Sequence, residues 1–130
     1  MIVEAWSFIA LWGDSFSPNR AEAITGLKFT QKHEVGQVGQ QGRFRNKPYP
    51  FGHAVLKAPE TINNDNKIEW LLDTILPHIE TIRDLGMTYG KIHVTYGYVS
   101  QCNLEYTPEI VDKIARSGLM FTITSWEDEE

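Results

Sequence analysis

Residues 16–30 read "FSPNRAEAITGLKFT" and residues 106–122 read "YTPEIVDKIARSGLMFT". Both run aromatic, hydroxyl, proline, a helix-forming stretch, then Gly-Leu, one variable residue and Phe-Thr. Ser17 and Thr107 are N-cap residues, whose side-chain oxygens can accept from first-turn amides. Pro18 and Pro108 suit the first helical position, where a missing N–H costs nothing. Gly26 and Gly118 supply the left-handed residue that closes a helix, and the Leu-x-Phe-Thr behind each reads as the start of a strand. Upstream of the first phrase lies the apolar run 2–12. Upstream of the second lies "KIHVTYGYVS" at 91–100, where Ile92, Val94, Tyr96 and Tyr98 alternate with Lys91, His93 and Thr95. That period of two marks a strand with one buried face and turns His93 away from the core, toward solvent or an open cleft. One strand, helix, strand unit is therefore written at each end of the fold, and a crossover of this length joins parallel strands with a right-handed turn.

Between the two units the spacing predicts a strand over 49–57 and a helix within "NKIEWLLDTILPHIETIRDLG", residues 66–86. Ile68, Leu71, Leu72, Ile75, Ile79 and Ile82 recur at three- and four-residue intervals, Asn66 can cap with Glu69, and Gly86 can close the end. Pro77 removes the bond to the Asp73 carbonyl and crowds that turn, so a kink or break is expected there. The order is β, α, β, β, α, β, α, β. This is an α+β two-layer sandwich, a ferredoxin-like βαββαβ core with an added αβ pair, with helices on one face of a mixed sheet. Residues 2–12 are apolar on both alternating sets, Ile2, Trp6, Phe8 and Ala10 on one and Val3, Ala5, Ile9 and Leu11 on the other. A central strand buried on both sides is expected. Helices on one side only leave the second face to water or to a homodimer partner. The fold itself decides no chemistry.

At 130 residues the chain fits one domain, residues 1–130, with a core that needs no staples. Cys102 is the only cysteine, which precludes an internal disulfide and points to a reducing compartment, the cytoplasm. The apolar start carries Glu4 and lacks a basic leader region, so it reads as a strand and not a signal peptide. No run approaches the length of a membrane span.

Net charge is −5, yet residues 28–57 hold six cations against Glu34 alone, a local +5 that leaves −10 elsewhere. Inside that basic region "HEVGQVGQQGRFRNKPYPFGH", residues 33–53, spaces Gly36, Gly39 and Gly42 as GxxGxxG. No Gly-Lys-Ser/Thr and no helix pattern come after it, so neither phosphate-loop fingerprint is met. The plain reading is a long mobile connection between the second and third strands, with little apolar anchoring over 36–47. The sharper reading takes Arg43, Phe44, Arg45 and Lys47 as a cation-and-aromatic cluster able to grip an anion and stack on a ring.

The four histidines show no metal-ligand spacing, Cys102 has no second thiol, and no carboxylate pair stands apart for acid–base work. The tryptophans read as packing. Asp73, Glu80 and Asp84 fall on the outer face of the long helix. Neither a metal, a cofactor nor an enzymatic activity is expected.

The layout "FIALWGDSFSP", "TGLKFTQKHEVGQ", "KIEWLLDTILPHIETIRDLG" and "YTPEIVDKIARSGLMFTIT" resembles the bacterial domain-of-unknown-function family number 4279 over nearly the whole chain. The matching features are Gly13-Asp14 after the first strand, the hydroxyl-proline helix starts and the long central helix. Where that family's pattern has a tryptophan on the strand after the glycine loop, this chain has "FGHAVL", with His53 and Ala54. The resemblance implies a small stand-alone bacterial or phage protein and carries no catalytic residues.

The leading expectation is a non-enzymatic interaction protein that binds and neutralises a protein target, as an immunity or anti-defence inhibitor does. Its acidic body, with Asp73, Glu80 and Asp84, would meet a basic partner. The alternative is a binder of a small anionic ligand such as a nucleotide, held by Arg43, Arg45 and Lys47 with Phe44 or a tryptophan for stacking, and His53 completes the candidate residues. Single-stranded nucleic acid ranks last, because the protein is acidic overall.

Overall fold

The computed structural model describes residues 1–129. Strands β1 (Ile2–Gly13), β2 (Gln31–His33), β3 (Gly52–Lys57), β4 (Tyr89–Tyr98) and β5 (Met120–Glu127) form one mixed sheet in the order β2-β3-β1-β4-β5. β1 is antiparallel to both of its neighbours, β2 is antiparallel to β3, and β4 and β5 run parallel. Helices α1 (Pro18–Thr25), α2 (Lys67–Ile75), α3 (Ile79–Asp84) and α4 (Pro108–Ser117) make the second layer of this α+β sandwich.

Both repeated phrases fold as their residues dictate. Ser17 Oγ accepts from the Arg20 amide at 3.2 Å and Thr107 Oγ1 from the Ile110 amide at 3.2 Å, while Gly26 and Gly118 close their helices at φ 80 and 67°. The two units differ in how their strands pair. β4, α4 and β5 join adjacent parallel strands, whereas β3 inserts between β1 and β2. The expected strand start at 27–30 moves later: Leu27 and Phe29 are buried in the core, and ladder pairing begins at Gln31.

The long helix divides as Pro77 requires: α2 ends at Ile75, a tight turn covers Leu76–His78, and α3 resumes at Ile79. Its start differs from the expected box. Asn66 makes no side-chain cap bond; instead Asn63 Oδ1 accepts from the Asp65 amide at 3.1 Å and opens a short turn that leads into α2. Lys67 is buried beside it, its ammonium 3.5 Å from the Ala5 carbonyl and 3.8 Å from Glu60.

β1 is central, but only one of its sides meets the helices. Ala5, Ile9 and Leu11 join Phe16, Leu71, Leu72, Ile75, Ile82, Ile92 and Val94 in the core. On the other side Phe8 and Trp12 are half-buried and Trp6 is 39% exposed, so the expected burial of both sides is corrected. A register shift between Ile2 and Glu4 turns Ile2 toward the helices. α4 packs through the partly buried Ile110 and Ile114, and Lys113 fastens it to α2, with Asp73 at 2.8 Å and Glu69 at 3.7 Å.

The turn after β1 sets the spacing of the layers. A Cβ at Gly52 would lie 1.8 Å from the Phe16 carbonyl oxygen, and one at Gly13 2.0 Å from that of Gly86. Neither neighbour is a side chain that can swing away. Gly52→Ala therefore lowers stability by at least about 2 kcal/mol, read as a fall in urea midpoint at unchanged m-value.

Candidate functional site

The side of the sheet away from the helices carries a series of ring pairs. The register brings Trp6, Phe8 and Trp12 of β1 beside Thr95, His93 and Tyr89 of β4, and sets Phe8, Ala10 and Trp12 beside Lys57, Val55 and His53 of β3. Cross-strand neighbours on one face stand close enough to stack. Trp12 stacks on His53 at 4.9 Å between centroids and meets Tyr89 at 5.1 Å, and Phe8 packs on His93 at 5.2 Å. Trp126 of β5 reaches across Gly97, where a Cβ would meet its indole at 2.7 Å, and stacks on Trp6 at 5.6 Å. His93 thus lies on the uncovered side, as its alternation with Ile92 and Val94 implied.

A groove of about 380 Å³ opens on this face, walled by Trp6, Phe8 and Val55 and edged by Thr30, Gln31, Lys57 and Thr95. That volume lies in the range of small-ligand sites. Lys91 Nζ stands 5.8 Å from the Trp12 ring. Two carboxylates stand at the margin of this side near Gly97: Glu4, its partner across β1, and Asp128, which accepts from the Trp126 indole N–H at 3.1 Å. Lys57 makes an exposed pair with Glu60 at 3.2 Å, a contact that a ligand can displace at small cost.

The ring row continues past Trp12. His53 neighbours His33 at 5.3 Å, and His33 stacks on Tyr49 at 3.5 Å with its Nδ1 buried and unpartnered. Burial, then the neighbouring His33, pull the His53 pKa from its ordinary 6.5 to about 4. Burial also lowers His33 and His93.

The structure separates the residues named from sequence. Arg43, Arg45 and Lys47 project from the β2–β3 connection into solvent, while Phe44 turns inward onto Tyr49 at 5.2 Å and Phe51 at 5.8 Å. The connection is pinned by Gly36 N–H to the Tyr49 carbonyl, Tyr49 N–H to Gln37 and Gly39 N–H to Lys47, at 2.8, 2.9 and 2.9 Å. The expected lack of apolar anchoring is therefore corrected: Phe44, Tyr49 and Phe51 supply it. A cavity of about 250 Å³ beneath this loop is lined by Gln31, His33, Gln37, Tyr49 and His53, and not by the three cations. Asp73, Glu80 and Asp84 lie in the helical layer. Asp73 is engaged by Lys113, Glu80 by Arg83 at 3.0 Å, and Asp84 is exposed.

A cavity of about 630 Å³ lies where the starts of α2 and α4 meet, lined by Ile68, Ile110, Tyr96, Tyr106 and a rim of Asn63, Asn64 and Asn103. Tyr96 and Tyr106 share a hydroxyl contact at 3.1 Å, and burial raises both pKa values. Two carboxylates, Asp65 and Glu105, complete its lining, and no histidine lines it. Among the described residues no cluster of His, Cys, Asp and Glu is placed to hold a metal ion, and no helix is long and apolar enough to cross a membrane.

No family model matches the chain, and neither a curated protein nor a solved structure matches it. Sequence reasoning allowed a stacking tryptophan without choosing among Trp6, Trp12 and Trp126, and it missed Phe8, Lys57 and Lys91. The available signal is the alternation that spaces Trp6, Phe8 and Trp12 at even positions, which reads equally well as a second buried side.

The folded state favours neutral His53, whereas the unfolded chain binds a proton near pH 6.5. The unfolded state then holds more protons between pH 6.5 and about 4, so stability is full above that window and falls as pH is lowered through it. Urea midpoints measured from pH 7 to 4 should show this decline, and His53→Phe, which retains a ring beside Trp12, should flatten it.

Proposed function

We propose that the chain is a non-enzymatic binding protein that holds a ring-bearing, anionic ligand on the uncovered face of its sheet. One observation carries this reading: a groove walled by Trp6, Phe8 and Val55 has Lys57 at its edge, with Lys91 farther along the same face. Stacking and charge-assisted hydrogen bonding are the two interactions such a site offers, and a nucleotide-type ligand uses both. The ligand class expected from the basic loop is retained and its seat moves from Arg43, Arg45 and Lys47 to the sheet. The neutralised-protein reading draws less support, because Asp73 and Glu80 already serve ion pairs within the helical layer.

The same proposal takes the first four strands as a ferredoxin-like core extended by α4 and β5. The order β2-β3-β1-β4, antiparallel throughout, supports it. Membership of family number 4279 rests on the Gly13-Asp14 turn and the Ser17-Pro18 and Thr107-Pro108 helix starts, and a cytoplasmic location rests on the single Cys102.

Titration with purine and pyrimidine nucleoside monophosphates, followed by native mass spectrometry and indole fluorescence, tests the site. Binding should quench the fluorescence. Trp6→Leu or Phe8→Leu should weaken it by about 1–3 kcal/mol, the worth of one stacked base. Replacing Arg43, Arg45 or Lys47 with Ala should change it little. The opposite pattern, with loop variants losing the ligand and face variants keeping it, would return the site to the loop.

A further inference from the structure

We infer that the uncovered face binds single-stranded nucleic acid, stacking successive bases against the rings at Trp6, Phe8 and Trp12 while Lys57 and Lys91 hold the phosphates. This rests on the ring-binding role just proposed and names its ligand as a polymer.

The first reason is repetition. A single small ligand needs one ring platform, yet the face presents three: Trp6 with Trp126, Phe8 with His93, and Trp12 with His53. At about 3.3 Å per strand residue, the first two lie roughly 7 Å apart along β1 and the last two roughly 13 Å. Both steps exceed the 3.4 Å per-strand rise of a stacked duplex, so they suit a strand whose bases are splayed apart. A duplex, with its bases paired inside, offers these rings nothing to stack on.

The second reason is where the cations stand. Lys57 is the register partner of Phe8 and Lys91 that of Ala10, so a charge lies beside the middle platform and another between it and Trp12. Beyond Trp12 the row passes through His53, His33 and Tyr49 to the β2–β3 loop, where Arg43, Arg45 and Lys47 make no ion pair among the described residues. A strand leaving the sheet at that end meets these three cations.

The third reason is where the helical carboxylates stand, which answers much of the objection from net charge. Glu69, Asp73, Glu80, Asp84, Glu109 and Asp112 all belong to the helices, one layer away from the face. Packed layers lie about 10 Å apart and the Debye length at physiological salt is about 8 Å, so the helical carboxylates are largely screened from a ligand on the sheet. Glu4 and Asp128, the latter accepting from the Trp126 indole N–H at 3.1 Å, stand at the Trp6–Trp126 end of the face, while the cations Lys57 and Lys91 stand beside Phe8 and toward Trp12.

The test uses fluorescein-labelled oligo-uridine and oligo-thymidine strands of about 12 nucleotides, with a duplex of equal length, followed by anisotropy and intrinsic fluorescence at several salt concentrations. Both single strands should bind and quench the indoles, and the duplex should bind at least about tenfold more weakly. Phe8→Leu and Trp12→Leu should each weaken binding roughly five- to a hundredfold. Thermal melts accompany them, and Trp6→Leu at a 39% exposed position provides a ring variant that spares the core. Lys57→Gln and Lys91→Gln should each reduce the slope of log affinity against log salt by about 0.7. The proposal is overturned by single strands that do not bind, by a duplex that binds as well, or by ring variants without effect. If mononucleotides bind and oligonucleotides bind no tighter, the polymer is wrong and the ring-binding face stands. If neither binds, and light scattering shows a dimer that Trp6→Leu dissociates, both readings fall and the face is a self-association surface.

Discussion

The two antiparallel ladders of β1 constrain everything else. Because β1 pairs with β3 on one side and β4 on the other, each of its side chains is committed to one of two environments. Ala5, Ile9 and Leu11 go to the helices, and Trp6, Phe8 and Trp12 to the open side. A slip of one residue in either ladder would exchange the two sets. It would place Trp6 and Trp12 where Leu71 and Leu72 now leave no space, and expose Ile9 and Leu11 to water. The register is thus held by the core, and the composition of the open face is its consequence.

The turn after β1 transmits this constraint to the rest of the chain. Phe16 is fully buried, and the backbone around it passes against Gly52 at the start of β3 and Gly86 at the end of α3. One tight crossing therefore fixes the entry of β3, the exit of the long helix and the start of α1. The opposite edge is held more lightly, by α4 lying on α2 through Ile110, Ile114 and the Lys113 ion pairs. The sheet face is carried on strands anchored by this crossing, with its rings braced against one another across strands.

Charge is distributed by layer and not by segment. The excess of cations between residues 28 and 57 suggested a basic loop on an acidic body. In the fold, Lys32 leaves that group to pair with Glu22 of α1, while Lys57 joins Lys91, more than thirty residues away, on the open face. Net charge says little about a ligand when Lys57 and Lys91 stand on the open face and the carboxylates of the helices lie a layer away from it.

Much of the architecture was legible in residues that act locally. Ser17 and Thr107 cap because the amides they satisfy lie three residues on, Pro77 breaks a helix because the bond it removes lies four residues back, and the alternation in β4 separates Ile92 and Val94 from His93 within one strand. Interactions of that reach are written in adjacent letters. The order of the strands, the choice of which side of β1 stays open and the meeting of Trp6 with Trp126, Trp12 with His53 and Phe44 with Tyr49 were settled only by tertiary packing. A strand with apolar residues on both alternating sets carries no local mark of which set the helices will cover. That choice belongs to the helices, whose single apolar stripe can bury one face of the sheet and no more.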